Sequence, residues 1–133
     1  MRLQINDGGR ADAGFKGTTG DCVVRSCAIA LGIPYREVYD DLFRLSAKTP
    51  RLGVSKKHYR PYLESKGFVW KPTMALGTGC RVHLRADELP SGRLVVRVTK
   101  HLTAVIDGII HDTHDPSRDG TRCVYGFFYR EEK

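Results

Sequence analysis

Near Phe68 the hydrophobic pattern of this 133-residue chain changes period, and that change limits the fold more than any single motif does. Before it, apolar residues recur at helical spacing: Val23, Val24, Cys27, Ala28 and Leu31 between Asp21 and Gly32, then Val38, Leu42 and Leu45 after Pro34. Tyr59, Tyr62 and Leu63 follow Ser55 in the same way, with Pro61 inside the run and Gly67 as its stop. These patterns predict three helices, the first over 21–31 with Asp21 as its N-cap. After Phe68 the alternation is that of strands: FVWKPT, CRVHLRA, GRLVVRVTK, the pair HLTAVI and IIHDT around Asp107-Gly108, and CVYGFFYR, expected at a sheet edge. No linker separates the halves. The expectation is one α+β domain over 1–133, a helical part over 1–67 packed on an antiparallel sheet drawn from 68–133.

Composition narrows the class. Apolar residues make up 41% and charged residues 28% of the chain, which are globular values rather than those of a disordered segment. No apolar run reaches the about 20 residues a membrane helix needs, and the N-terminal segment lacks a signal-peptide core, so a cytoplasmic protein without membrane contact is expected. Cys22, Cys27, Cys80 and Cys123 lack CxxC spacing and are expected as reduced thiols, Cys27 within the core. With 22 Lys and Arg against 15 Asp and Glu, the net charge is +7. A basic surface of this kind admits an acidic partner, nucleic acid included, although no basic block or nucleic-acid motif accompanies it.

Two features carry chemistry. Cys22 directly follows an N-cap, where the positive end of a helix dipole lowers a thiol pKa, and Arg25 can add to that field. The second feature is the Asp107-Gly108 hairpin. With Ile106 opposite Ile109, Thr103 falls opposite Asp112 and His101 opposite His114, and all four share one face. Asp112 is then a diagonal neighbour of His101, roughly 7 to 8 Å away along the backbone and within side-chain reach. Imidazole can take the thiol proton, and a carboxylate on the other ring nitrogen fixes the tautomer and steadies the imidazolium.

The DC of Asp21-Cys22 at a helix start, the HLTAVIDG strand from His101 and the downstream HDTHDP resemble papain-like cysteine peptidases. The compact bacterial, bacteriocin-processing type is the nearer likeness, and uncharacterised bacterial and phage proteins share a similar GDCVVR start. The resemblance implies a papain-like fold and thiol-dependent hydrolysis of peptide, isopeptide or amide bonds by Cys22, His101 and Asp112, on a peptide or protein substrate. The family's oxyanion glutamine, six residues before the cysteine, is Lys16 here, which leaves Lys16, Thr18 and Thr19 as oxyanion candidates beside the Cys22 N–H. The processing peptidases use the aspartate of an Asp-Pro pair, so Asp115 is the alternative carboxylate to the Asp112 favoured by parity.

Other readings follow from the same residues. His101, His111, His114, Asp112 and Asp115 crowd one hairpin, but parity turns His111 away and leaves no dense ligand set on one face, so no metal and no cofactor are expected. The alternative function is a catalytically inactive papain-like domain or a basic binding module contacting protein or nucleic acid, with Trp70, Tyr125, Phe127, Phe128 and Tyr129 as candidate stacking surfaces. Alternation assigns about half of those aromatics to the core. A deamidase or acyltransferase would use the same thiol chemistry. The loop TMALGTGCR over 73–81 is expected to border the substrate groove, and the oligomeric state is left open.

Overall fold

The computed structural model describes residues 1–15, 20–74, 77 and 79–130. Among these, the first half forms α1 (Cys22–Leu31), α2 (Tyr35–Ser46) and α3 (Lys56–Ser65), with a short 3-10 turn at Pro50–Leu52. α1 ends where Gly32 takes the left-handed conformation (φ 70°) and its N–H closes on the Ala28 and Ile29 carbonyls. α2 buries Tyr35, Val38 and Leu42 but leaves Leu45 exposed, a correction to the expected stripe. α3 buries Tyr59, Tyr62 and Leu63 and accommodates Pro61.

The strands are β1 (Arg2–Ile5), β2 (Phe68–Pro72), β3 (Arg93–Val98), β4 (His101–Ile106), β5 (Ile109–Asp112) and β6 (Gly126–Arg130). They make one six-stranded sheet in the order β1-β5-β4-β3-β6-β2. The α+β class holds, with three corrections to its details. First, β1 pairs parallel with β5, so the sheet is mixed rather than antiparallel. β1 is a short, largely exposed edge strand whose RLQI carries too little apolar contrast to announce itself. Second, CRVHLRA is no strand; only His83 makes an isolated bridge, to Cys123. Third, β6 lies between β3 and β2 and is internal.

The sheet is covered on both faces. On one, α1, α2 and α3 pack Val24, Cys27, Val38, Leu42 and Leu63 against Val95, Leu102 and Phe128. On the other, Leu84 and Val124 close over Leu94, Val96, Val105, Ile110 and Phe127. Two covered faces erase alternation, so β4 is buried continuously from Leu102 to Val105, and both Phe127 and Phe128 are core. No helix is long and apolar enough to cross a membrane.

Cys22 and Cys27 are free and Cys27 is buried, but Cys80 and Cys123 are joined, their Cα atoms 5.8 Å apart. That disulfide corrects the expectation of four reduced thiols. Their separation of 43 residues shows no pairing pattern in sequence, and the His83–Cys123 bridge is what brings the two segments together.

Gly126 marks the tightest packing in the sheet. A Cβ there would lie 2.4 Å from the Trp70 ring and 2.8 Å from the Lys71 carbonyl. Because the carbonyl belongs to a paired strand and cannot swing away, Gly126→Ala is expected to cost about 2 kcal/mol or more in urea unfolding. An unchanged midpoint would show that β2 is not held against β6 in this register.

Candidate active site

The Asp107-Gly108 turn sets the site's geometry. Both residues have positive φ (49° and 77°), as a tight two-residue hairpin requires, and the Asp107 carboxylate accepts from the Gly92 N–H at 2.8 Å. Ile106 pairs with Ile109 and Ala104 with His111, and continuing that register puts Thr103 opposite Asp112. His101 opens β4 and Asp112 closes β5, so both stand at the end of the hairpin away from its turn. The first turn of α1 meets them there.

The His101 ring has two partners. Its Nε2 lies 2.7 Å from Asp112 Oδ2, and the ring also interacts with the Cys22 thiol. Burial on its own would lower the basicity of His101, but the bonds to Asp112 and Cys22 outweigh it and raise the imidazole pKa to about 9. Burial would push the Cys22 thiol up. The His101 bond, the Leu102 backbone N–H and the charges of His101 and Arg25 reverse that and hold the thiol below its ordinary value. Together these shifts favour a thiolate beside an imidazolium.

Asp112 is almost wholly buried, yet none of its bonding capacity is wasted. Oδ2 accepts from Thr103 Oγ1 at 2.7 Å as well as facing His101, while Oδ1 accepts from Arg25 Nη1 and the Thr113 N–H, both at 2.7 Å. Burial opposes the charge, but the bonds from His101 and Thr103 keep the carboxyl well below the usual carboxylate range. Asp115 is elsewhere: its Oδ1 accepts from the Ser117 N–H at 2.8 Å and makes the turn after β5. The structure therefore brings Cys22, His101 and Asp112 together and leaves Asp115 outside.

Arg25 links this group to the helix start. Its Nε donates to Asp21 Oδ1 at 2.9 Å while Nη1 reaches Asp112, and Arg10 and the Tyr35 hydroxyl complete the shell of Asp21 at 3.2 and 2.8 Å. Asp21 thus makes no side-chain cap, contrary to expectation; its carboxylate is spent on this buried network. The i,i+4 spacing of Asp21 and Arg25 was readable, but Arg10 and Tyr35 carried no signal, and Thr103 was visible only through hairpin parity. Gly8, in the turn after β1, presses its Cα against the Arg25 backbone, where a Cβ would stand 3.0 Å from the carbonyl oxygen.

The thiol opens onto a groove of about 370 Å³ whose lining includes Gly20, Cys22, Val23, His101, Leu102 and residues 53–56. None of the described residues of the 73–81 loop lines it, which corrects the expected border. Lys16, Thr18 and Thr19, the oxyanion candidates, lie outside the described residues. What α1 supplies directly is its first-turn N–H groups, which have no intrahelical acceptor and no cap from Asp21.

His114 adds a feature that parity reasoning underweighted. Its ring centroid lies 5.1 Å from that of His101, and ligand atoms of His101, Asp112 and His114 fall within 4.8 Å of one another. This corrects the expectation that no ligand set gathers on one face. Both Asp112 oxygens are already bonded, however, and the Arg25 guanidinium on Oδ1 opposes a dication. His111 does turn away, toward the Asn6 side chain at 3.4 Å.

Comparison with family models, curated proteins and solved structures returned no match. The site is therefore read from its own geometry.

Arg25→Met would strand Asp112 and leave Asp21 with Arg10 alone as a cation. It is expected to cost about 3 kcal/mol in chemical denaturation, because a buried carboxylate loses its paired charge. In the folded variant the His101 imidazole should titrate higher than in the wild type by NMR, since Asp112 loses a competing cation. A neutral substitution on both counts would remove Arg25 from the site.

Proposed function

We propose that this chain is a thiol-dependent hydrolase of papain-like type, acting on peptide, isopeptide or amide bonds. The observation that carries the reading is His101 lining one groove with Cys22, whose thiol it acts on, while its Nε2 lies 2.7 Å from Asp112. Support for the fold assignment comes from the order of elements: a nucleophile at the N-terminus of a helix, then a base and an acid on neighbouring strands packed against it.

In this mechanism the Cys22 thiolate attacks the carbonyl carbon, and the C–O electron pair moves onto oxygen. The oxyanion is met by the first-turn N–H groups of α1. Collapse of the intermediate breaks the C–N bond as imidazolium His101 gives its proton to the leaving amine, and a thioester remains on Cys22. His101, now neutral, takes a proton from water, and the resulting hydroxide attacks the thioester. The acid departs and the thiolate–imidazolium pair is restored. Asp112 keeps the ring oriented and stabilises its charged form throughout.

A fluorogenic peptide library and Cys22 alkylation by iodoacetamide test this reading. Cys22→Ala and His101→Ala are expected to abolish turnover, and Asp112→Asn to lower it by about a hundredfold, because an amide oxygen still holds the ring without stabilising its charge. Asp115→Asn should stay close to wild type. His101→Ala should also raise the Cys22 thiol pKa, because burial is then opposed only by the Leu102 N–H and the Arg25 charge. An alkylation rate indifferent to that change would remove the catalytic reading.

The pH profile has a definite sign. Activity needs thiolate and imidazolium together, so it should fall on the acid side as the lowered Cys22 thiol regains its proton. It should fall on the alkaline side as His101 loses its proton near pH 9. A profile still rising beyond pH 10 would contradict an imidazolium requirement.

A further inference from the structure

The groove beside Cys22 has a charge pattern that the chemistry of the triad does not use. Lys56, Arg97 and Lys100 line it, and among the described residues no Asp or Glu does. Four surface arginines are paired with carboxylates: Arg36 with Asp40, Arg44 with Asp41, Arg60 with Glu64, and Arg85 with Asp87. What sets the groove cations apart is that three of them converge on one groove beside Cys22. Among the described residues none of the three has a carboxylate within ion-pair distance; Arg97 Nη1 donates to the neutral Tyr59 hydroxyl at 3.2 Å, and the Lys56 ammonium lies 5.1 Å from the Trp70 ring centroid.

Two positions are built to hold such charges. Arg97 is a half-buried residue of β3, opposite Leu102 in register, so its base is fixed by the sheet and only one of its five donors is engaged by Tyr59. Lys100 is the second residue of the two-residue β3–β4 turn and has a φ of 56°, where glycine or asparagine would sit with less strain. The turn is tied down by the Tyr125 hydroxyl on Thr99 Oγ1 at 2.7 Å and by Arg122 on the Thr99 carbonyl. Lys100 therefore projects from a fixed point directly before His101. Unpaired cations along a groove with partly apolar walls raise the local concentration of anionic ligands and favour carboxylates over neutral isosteres.

We propose that the groove selects acidic peptides, seating an Asp or Glu side chain of the substrate against Arg97 and Lys100 while the neighbouring amide carbonyl lies over Cys22 Sγ. This inference rests on the hydrolase reading and adds its substrate class. Tyr59 contributes by holding Arg97, and Lys56 by extending the positive wall toward Trp70.

The test uses the full chain and peptidyl chloromethyl ketones that differ only in a terminal Glu, Gln or Lys, with Cys22 labelling followed by mass spectrometry. The Glu probe is expected to label Cys22 about tenfold faster than the Gln probe at low salt, with the Lys probe slowest, and the gap should narrow as salt rises. Arg97→Gln, which removes the charge, and Lys100→Asn, which suits the left-handed turn, should each cut the Glu-over-Gln preference to about one third or less. Equal labelling by Glu and Gln probes, with neutral iodoacetamide labelling still dependent on His101, overturns the acidic-peptide inference and leaves the hydrolase reading intact. Iodoacetamide labelling indifferent to His101 overturns both. Protection of Cys22 by a short oligodeoxythymidylate at concentrations where a polyglutamate peptide gives none overturns it in favour of a nucleic-acid groove.

Discussion

The buried guanidinium of Arg25 holds the molecule's two structural halves to one another. It bridges Asp21 at the start of α1 and Asp112 at the end of β5, residues 87 positions from one another along the chain in the case of Arg25 and Asp112. Taking three charges out of water is costly, and each must be nearly saturated with bonds to be tolerated. Here they are: Arg10 and Tyr35 complete Asp21, and Thr103, Thr113 and His101 complete Asp112. A hydrophobic contact would tolerate sliding of the helix on the sheet. A directional network of this kind does not, and it fixes where the first turn of α1 stands relative to β4 and β5.

That constraint has a chemical consequence. The helix that carries Cys22 also carries the cation that holds Asp112, so thiol and carboxylate are positioned by residues one turn apart on a single rigid element. Burial works against every charged member of the group, pushing the thiol and the carboxyl up and the imidazole down. Specific hydrogen bonds reverse all three, and the group's charged state is therefore a property of its geometry rather than of exposure. The N-terminal strand β1 and the Gly8 turn add cover over Arg25, giving an otherwise unremarkable edge segment a role in keeping the network dry.

The groove extends the same logic outward. Inside the site each charge is matched, whereas along the groove Lys56, Arg97 and Lys100 are left without carboxylates among the described residues. The net charge of +7 alone spoke only of a basic surface. In the proposed reading, placement next to the Cys22 thiol turns part of that surplus into a means of selection.

Local rules carried much of this into the sequence. Helical spacing around Asp21–Leu31, the Gly32 stop and the Asp107-Gly108 turn depend on contacts within a few residues, and hairpin parity followed from the turn, so the neighbourhood of His101, Thr103 and Asp112 was legible before any fold was known. What failed was whatever depended on the other side of a contact. β1 as a parallel edge strand, β6 as an internal one, the continuous burial of β4 and the Cys80–Cys123 bond each require knowing what lies across or above. The same holds for Asp21, which by sequence is an N-cap and in the fold is an ion-pair partner, because Arg10, Tyr35 and the reach of Arg25 to Asp112 exist only once helix and sheet have docked. Periodicity and turn chemistry determined which residues face together; tertiary packing alone decided which charges could be buried, since only packing brings the partners that make their desolvation bearable.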